Sequence, residues 1–172
     1  GSQGAVDATK IFILAAFGVA IAGTLAPGVA ETLGLLQDWG GKPESTVLVS
    51  GERLPAPSSA MMNSFLMHNQ EFDPVHDLAV VHAFTTVLPV ALAVAEAQGG
   101  VTGRELLTAV ALGVDVACAI GLSSRSPIAH FRPGTLGAFG AVAAAGKISG
   151  LDRATLTHAM GIVYSQICGT LQ

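Results

Sequence analysis

Charged side chains are scarce in this 172-residue sequence, of which Asp, Glu, Lys and Arg make up only 12%. Eight residues are Lys or Arg and twelve are Asp or Glu, which gives a formal net charge of −4. A surface that binds nucleic acid needs Lys and Arg clustered on one face. The composition therefore excludes nucleic acid as a partner.

Cysteine and aromatic residues are also scarce. The two cysteines, Cys118 and Cys168, lie far apart in apolar segments, and no C-x-x-C pair is present. This pattern excludes an iron–sulfur or cysteine-based zinc signature. It favours buried free thiols over a disulfide, as expected in the reducing cytoplasm. Aromatic residues are 5% of the sequence but apolar residues 51%, a balance that favours closely packed helices with small side chains and a surface partly covered by a partner.

A long apolar run near the N-terminus is the feature most similar to a membrane segment. Residues 11–30 carry no charge and follow Lys10, as in a signal peptide or a single spanning helix. However, three glycines and Pro27 interrupt the run, and the sequence opens Gly-Ser-Gln without a Met. Later apolar segments contain interior charges such as Asp115. We therefore predict a buried helix of a soluble protein, with no membrane partner.

The periodicity of apolar residues predicts an all-α domain over residues 1–172, with about seven helices and at most one short β-hairpin. The predicted helices cover residues 6–24, 29–39, 60–70, 82–98, 103–122, 134–150 and 153 through Cys168, and the predicted hairpin covers residues 44–50 and 53–54. Ser58 and Ser59 are predicted to cap the third helix. Thr102 with Glu105 forms a capping box for the fifth helix, and Asp152 caps the last. Residues 123–133 are predicted as a polar loop.

Side chains that carry protons are concentrated in residues 63–82, between two apolar helical segments. This window holds three of the five histidines and three of the twelve acidic residues. Such a concentration is typical of a reaction centre or a polar binding site, although a solvated loop has the same composition. The three histidines lack the i, i+4 spacing of a zinc-protease helix, so no metal site is predicted.

A second polar segment precedes a glycine-rich stretch. The glycines at 134, 137 and 140 follow no predicted strand and precede no Lys-Ser/Thr pair, so they favour close helix packing over a phosphate-binding loop. The start of this helix is surrounded by Arg125, His130, Arg132 and Thr135. Free N–H groups at a helix N-terminus attract anions, and arginines bind carboxylates. This segment is therefore predicted to bind the carboxylate of a substrate.

The two polar segments supply complementary chemistry. Abstracting a proton α to a carboxylate, with loss of a β leaving group, needs a base, an acid and cations that hold the substrate. One segment offers the proton carriers and the other offers the carboxylate binders. We expect both to border one cleft, although the sequence alone does not show that they meet.

Five segments resemble the MmgE/PrpD family, in the same order along the chain. They cover residues 63–73, 88–97, 103–107, 134–140 and 165–169. The resemblance implies a large helical domain with a smaller lid domain, a homodimer, and cofactor-independent lyase or isomerase chemistry on di- or tricarboxylates. The family includes 2-methylcitrate dehydratase, cis-aconitate decarboxylase and iminodisuccinate epimerase.

The sequence departs from the family motif H-x-x-D-F-D-D-T at two positions. His68, Glu71 and Asp73 match its first three polar positions, but Pro74 and Val75 replace the last Asp and the Thr. These replacements indicate an altered substrate or altered chemistry.

Two further motifs are matched in part. The histidine of the family's following H-P element corresponds best to His82, with Ala83 in place of the Pro. In the family's F-H-P-T loop, Arg132 stands where the histidine is expected, and His130 lies two residues earlier.

Family members also continue well beyond the segment that ends at residue 169. We therefore expect the C-terminal helices and lid of the same polypeptide as partners, and little or no activity from this chain alone.

These patterns predict a lyase that acts on a small, 2-methylcitrate-like di- or tricarboxylate without a cofactor or metal. The predicted catalytic residues are His82, Glu71, Asp73 and His76, and the predicted substrate-binding residues are Arg132, His130, Thr135 and Asn63. In this scheme His82 is the acid or base, Glu71 and Asp73 orient or charge it, and His76 substitutes for a lost family residue. His68 and His158 are predicted to be structural. The alternatives are an isomerase or epimerase of the same family and a truncated, non-catalytic helical interaction module.

Overall fold

Helices make up most of the computed structural model, which describes residues 3–124, 131–167 and 169. Its seven helices in these ranges are α1 (Gln3–Gly23), α2 (Val29–Trp39), α3 (Ala56–His68), α4 (Ala83–Ala97), α5 (Gly103–Ser123), α6 (Arg132–Ile148) and α7 (Arg153–Gln166). Strands β1 (Ser45–Thr46) and β2 (Arg53–Leu54) form one antiparallel hairpin, with Ser45 opposite Leu54. The predicted fold class, the number of helices and the hairpin are confirmed.

Helix α4 is the centre of the core. Nine of its fifteen residues are buried, and it packs against α3, α5 and α6. Helices α5 and α6 approach each other at Gly113 and Gly140, where a Cβ added to Gly113 would lie 2.6 Å from the carbonyl oxygen of Gly140. A Cβ added to Gly137 would lie closer still to the Thr86 hydroxyl on α4. The glycine-rich stretch therefore serves helix packing, as its spacing predicted.

The N-terminal caps agree with the sequence prediction at α5 and α7. The Thr102 hydroxyl accepts a hydrogen bond from the Glu105 backbone, and the Glu105 carboxylate accepts one from the Thr102 backbone. The Asp152 carboxylate accepts the backbone N–H of Thr155 at 2.8 Å. Each contact satisfies helix N–H groups that lack an intrahelical partner. Helix α7 ends at Gln166, and Cys168 lies outside the described residues.

Three helices begin earlier than predicted: α1 by three residues, and α3 and α6 because each has a proline in its first turn. The prediction that Ser58 and Ser59 cap α3 is wrong, because the helix begins at Ala56 and Ser59 is a buried interior residue whose hydroxyl donates to the Thr46 carbonyl. Likewise α6 begins at Arg132, which had been placed in a loop. In the first turn of α3 and α6, the fixed φ of proline suits the helix and its missing N–H costs no hydrogen bond.

The first strand of the hairpin is shorter than predicted, because the side chain of Asn63 takes backbone hydrogen bonds that a neighbouring strand would otherwise make. The buried Asn63 amide accepts the Leu48 N–H at 2.7 Å and donates to the Thr46 carbonyl at 3.0 Å. Residues 48–50 form a turn, with Val49 at a φ of 71°. Pro89 lies in the interior of α4, which continues on both sides of it.

Two of the described helices, α1 and α5, are long and apolar enough to cross a membrane by length and composition. Core helices of soluble proteins and signal sequences pass the same test. Helix α5 packs against α4 and α6, and α1 packs against α3 and contributes Ala16 and Ala20 to the core. The absence of a membrane partner stays a prediction.

Candidate active site

A buried carboxylate joins two histidines at the point where α3 ends and α4 begins. The side chain of Asp73 is completely buried. Its Oδ1 lies 3.0 Å from Nδ1 of His68, and its Oδ2 lies 2.7 Å from Nδ1 of His82. The two imidazole rings are 4.9 Å apart between centroids and are about one-fifth exposed. Three polar residues that are separated along the chain thus form one cluster.

The backbone explains why these three side chains meet. His68 is the last residue of α3, and His82 occupies the N-cap position of α4. Pro74 cannot continue a helix in the connection between them. Two residues of this connection, Glu71 at a φ of 55° and Val80 at 51°, adopt the left-handed conformation that L residues rarely enter. The strained backbone turns the connection inward and places Asp73 between the two rings, and such strain is concentrated at functional sites in proteins.

The hydrogen bonds determine which imidazole nitrogens carry protons. An ionised carboxylate only accepts, so both histidines donate Nδ1–H to Asp73. A neutral His82 in that tautomer has an unprotonated Nε2, which is the arrangement of a histidine base oriented by a buried carboxylate. The arrangement can therefore remove a proton from a substrate carbon and return it.

His68 differs from His82 in its electrostatic environment. The hydrogen bond to Asp73 raises the pKa of His68 above its usual value, burial opposes the shift, and the charges of Asp73 and Glu71 add to it. The Glu71 carboxylate is 70% exposed and its Oε1 lies 3.5 Å from Nε2 of His68. That nitrogen is buried and makes no hydrogen bond with the residues described, so the Glu71 contact is an ion pair by distance only.

The start of α6 lies beside this cluster. The ring of Phe131 is 6.0 Å from that of His68, and the Arg132 guanidinium donates from Nη1 to the carbonyl oxygen of Ala79 at 2.9 Å. Ala79 is part of the connection that leads into His82. The two polar segments that the sequence assigned to complementary roles are therefore neighbours in the fold. His130 and Arg125 lie outside the described residues.

Three other predicted site residues are engaged elsewhere. Asn63 is 1% exposed, and its amide holds the hairpin rather than facing the cluster. Thr135 is buried, and its hydroxyl donates to the carbonyls of Phe131 and Arg132 in the first turn of α6. His76 is exposed, and its Nδ1 accepts the backbone N–H of Ala79 at 3.1 Å. The structure brings together His82, Asp73 and Glu71 with Arg132 nearby.

His68 belongs to the cluster although it is predicted to be structural, and the family motif that places it in line with Glu71 and Asp73 already pointed to this grouping. Its i, i+3 spacing to Glu71 was a further available signal, but the contact with Asp73 depends on the strained connection.

The ligand atoms of His68, Asp73 and His82 lie within 4.8 Å of one another, which is close enough to hold a metal ion. Spacing along the chain did not predict this grouping. In the geometry observed, both Asp73 oxygens already accept imidazole N–H groups.

Comparison with known proteins identifies one family to which the chain is similar. Residues 2–172 match the MmgE/PrpD N-terminal domain. The chain is 28% identical to cis-aconitate decarboxylase of Mus musculus over 172 residues, which cover 95% of the chain and 35% of that enzyme. It is 30% identical to cis-aconitate decarboxylase of Aspergillus terreus over 133 residues, or 73% of the chain and 27% of that enzyme. The chain thus spans roughly a third of the length of these relatives or less.

Proposed function

The chain belongs to the MmgE/PrpD family, and on that basis we propose that it supplies the proton-transfer half of a lyase acting on a small di- or tricarboxylate. The observation that carries the proposal is the 2.7 Å contact between the buried Asp73 carboxylate and Nδ1 of His82. A histidine held in this way presents Nε2 as the atom that takes up or delivers a proton. Asp73 is the residue that orients it, and Glu71 with His68 completes the charged surroundings.

The proposed reaction breaks a bond at a carbon next to a carboxylate. In a dehydration, His82 takes the α proton, the electron pair of the C–H bond forms the double bond, the bond from the β carbon to its hydroxyl breaks, and His82 returns its proton to that hydroxyl, which leaves as water. In a decarboxylation, the C–C bond to one carboxylate breaks, carbon dioxide leaves, and His82 delivers a proton to the carbon that keeps the electron pair. Both routes use one proton carrier and a site that stabilises negative charge.

Arg132 is the proposed anchor for a substrate carboxylate. One N–H of its guanidinium is donated to Ala79, and a guanidinium has five donors, so others are left for a ligand. Arg132 is also the first residue of α6, where free backbone N–H groups and the helix dipole attract anions. His130 is the second proposed carboxylate binder, from its position in the sequence.

The two relatives above are named as decarboxylases, which favours decarboxylation of an unsaturated tricarboxylate as the first reaction to test. Dehydration of a 2-methylcitrate-like substrate is the second. Epimerisation is the third alternative, because it uses the same abstraction and return of an α proton without a leaving group.

The experiment is an assay of the natural full-length polypeptide with cis-aconitate, 2-methylcitrate and iminodisuccinate. Release of carbon dioxide, release of water and inversion at carbon distinguish the three reactions. His82→Ala should abolish turnover with any substrate that wild type converts, while Asp77→Asn, at an exposed position between α3 and α4, should leave it unchanged. Full activity of the His82→Ala variant would overturn the proposal.

Apolar surface that the described residues leave uncovered is the basis for the proposed partners. Ile11, Leu14 and Ile21 of α1 are each at least 60% exposed, and α7 has no buried residue among those described. Exposed apolar area of this kind is typical of an interface. We propose that a second copy in a homodimer, and the C-terminal part of the polypeptide, cover these faces in the cytoplasm. The same surface would serve a non-catalytic interaction module, which inactivity of the full-length polypeptide on all three substrates would favour.

A further inference from the structure

The three residues that precede His82 are all tied to His76. The His76 N–H donates to the Val81 carbonyl at 3.0 Å, and the His76 carbonyl accepts the Val80 N–H at 2.7 Å. The His76 side chain accepts the Ala79 N–H through Nδ1 at 3.1 Å. One residue therefore contacts each member of the segment that carries the chain into His82.

This segment needs such restraint because its backbone is strained. Val80 adopts a φ of 51°, which is unfavourable for a β-branched residue and persists only where surrounding contacts enforce it. Its side chain is 53% exposed, so packing does not explain the conformation. The neighbours Ala79 and Val81 are completely buried. The contacts from His76 are the local ones that hold Val80 in this conformation.

The Ala79 peptide groups are held from two sides. The N–H donates to the His76 imidazole, and the carbonyl accepts from the Arg132 guanidinium at 2.9 Å. A shift of this segment would move His82 relative to Asp73, with which it makes the 2.7 Å contact of the cluster.

We propose that His76 is a positioning residue, which fixes the segment 79–81 and through it the imidazole of His82. This role differs from direct proton transfer, because the Nδ1 atom of His76 is occupied by a backbone N–H. The proposal rests on the proposed function of His82 and adds a residue through which that function is maintained. It identifies the Nδ1 acceptor as the essential group, since the other two contacts are made by the backbone and would survive a change of side chain.

The test compares His76→Ala with His76→Asn. Asparagine places an oxygen close to the position of Nδ1 and accepts a backbone N–H a few residues ahead, whereas alanine offers no acceptor. Hydrogen exchange of the Ala79 amide is measured relative to that of Ala91 in the core of α4, so that any change in global stability cancels. The tautomer of His82 is read from the nitrogen signals of its ring by NMR.

In His76→Ala, the relative exchange of Ala79 should rise by about tenfold, as expected for loss of one hydrogen bond, and the His82 ring should lose its single Nδ1–H tautomer. His76→Asn should resemble wild type in both measurements, and His158→Ala should change neither. Unchanged Ala79 exchange and His82 signals in His76→Ala, or equal effects of Ala and Asn, would overturn the proposal.

This outcome is separable from the proposed function. If His82→Ala keeps turnover in the full-length polypeptide, the catalytic role of His82 is wrong, while the exchange and tautomer results still report on His76. If instead His82 is essential, His76→Ala should lower kcat with little change in KM, and His76→Asn should restore kcat. A loss of kcat that Asn does not restore would count against positioning through the Nδ1 acceptor.

Discussion

The Oδ2 atom of Asp73 lies 2.7 Å from Nδ1 of His82, although the two residues are nine positions apart and belong to a strained connection and a helix N-cap. The other oxygen of the same carboxylate lies 3.0 Å from Nδ1 of His68. A completely buried carboxylate that makes two hydrogen bonds to ring nitrogens fixes both rings at once. The His82 imidazole is therefore oriented by a group that the solvent does not reach.

Asp73→Asn tests this orientation. An asparagine carboxamide keeps the shape of the side chain but has only one oxygen, and its NH₂ group faces a ring N–H that needs an acceptor. We expect kcat of the full-length polypeptide to fall by about 10²- to 10⁴-fold, as for loss of a positioned acid–base catalyst. Asp77→Asn, an exposed position of the same connection, is the matched control and should keep wild-type kcat. Equal kcat in both variants would show that the Asp73 contact does not orient a catalytic base.

The pH dependence of stability tests the environment of His68. Its pKa is raised in the folded state, first by the hydrogen bond to Asp73. The folded protein therefore binds this proton more tightly than the unfolded chain does. The resulting stabilisation is fully present below about pH 6.5, the ordinary pKa of histidine, and is lost as the pH rises through the raised pKa. Urea unfolding should show a free energy that decreases across this interval.

The variant His68→Gln isolates that contribution. Without a titrating imidazole at this position, the decrease in unfolding free energy above about pH 6.5 should become shallower. His158→Gln serves as the control, because it removes an exposed histidine on α7. A pH dependence that stays the same in His68→Gln, or that changes equally in both variants, would contradict the assignment.

Local features of the fold were predictable from the sequence, because the residues that create them are close together in the chain. The capping box of Thr102 and Glu105 is made within four positions, and its prediction was correct. Asp152 caps α7 for the same reason. The error at Ser59 shows the limit of such rules, since a buried contact with the hairpin and the flanking prolines decided where α3 begins.

The candidate site was predictable only in part, because it depends on contacts between distant segments. Composition identified the window that holds Asp73 and His82, and the resemblance to a family singled out His82. Neither could show that Arg132 would donate to Ala79, a contact that spans 53 positions. Likewise Asn63 looked like a ligand-binding residue in sequence, whereas the hairpin 15 to 17 positions earlier occupies its amide.

Val80→Gly tests the strain next to the site. Glycine adopts a φ near 51° without steric cost, and the exposed Val80 side chain contributes little burial. Relief of the left-handed conformation should outweigh the entropy cost of glycine and raise the unfolding free energy by about 0.5–1 kcal/mol. Val75→Gly, at a similarly exposed position outside the left-handed region, should instead lower it by about 0.5–1 kcal/mol. Denaturant titration distinguishes the two, and a loss of stability in both would show that Val80 is not strained.

Gly113→Ala tests the close approach of α5 and α6, the helix whose start lies beside the cluster. An added Cβ would lie 2.6 Å from both the Gly140 carbonyl and a methyl group of Val87, so the helices must separate. We expect a loss of about 1–3 kcal/mol in unfolding free energy, as for an overpacked core. Gly34→Ala on α2 meets nothing within 4 Å and should gain about 0.5–1 kcal/mol from the better helix propensity of alanine. If both changes prove equally tolerated in urea titrations, α5 and α6 do not pack closely at Gly113.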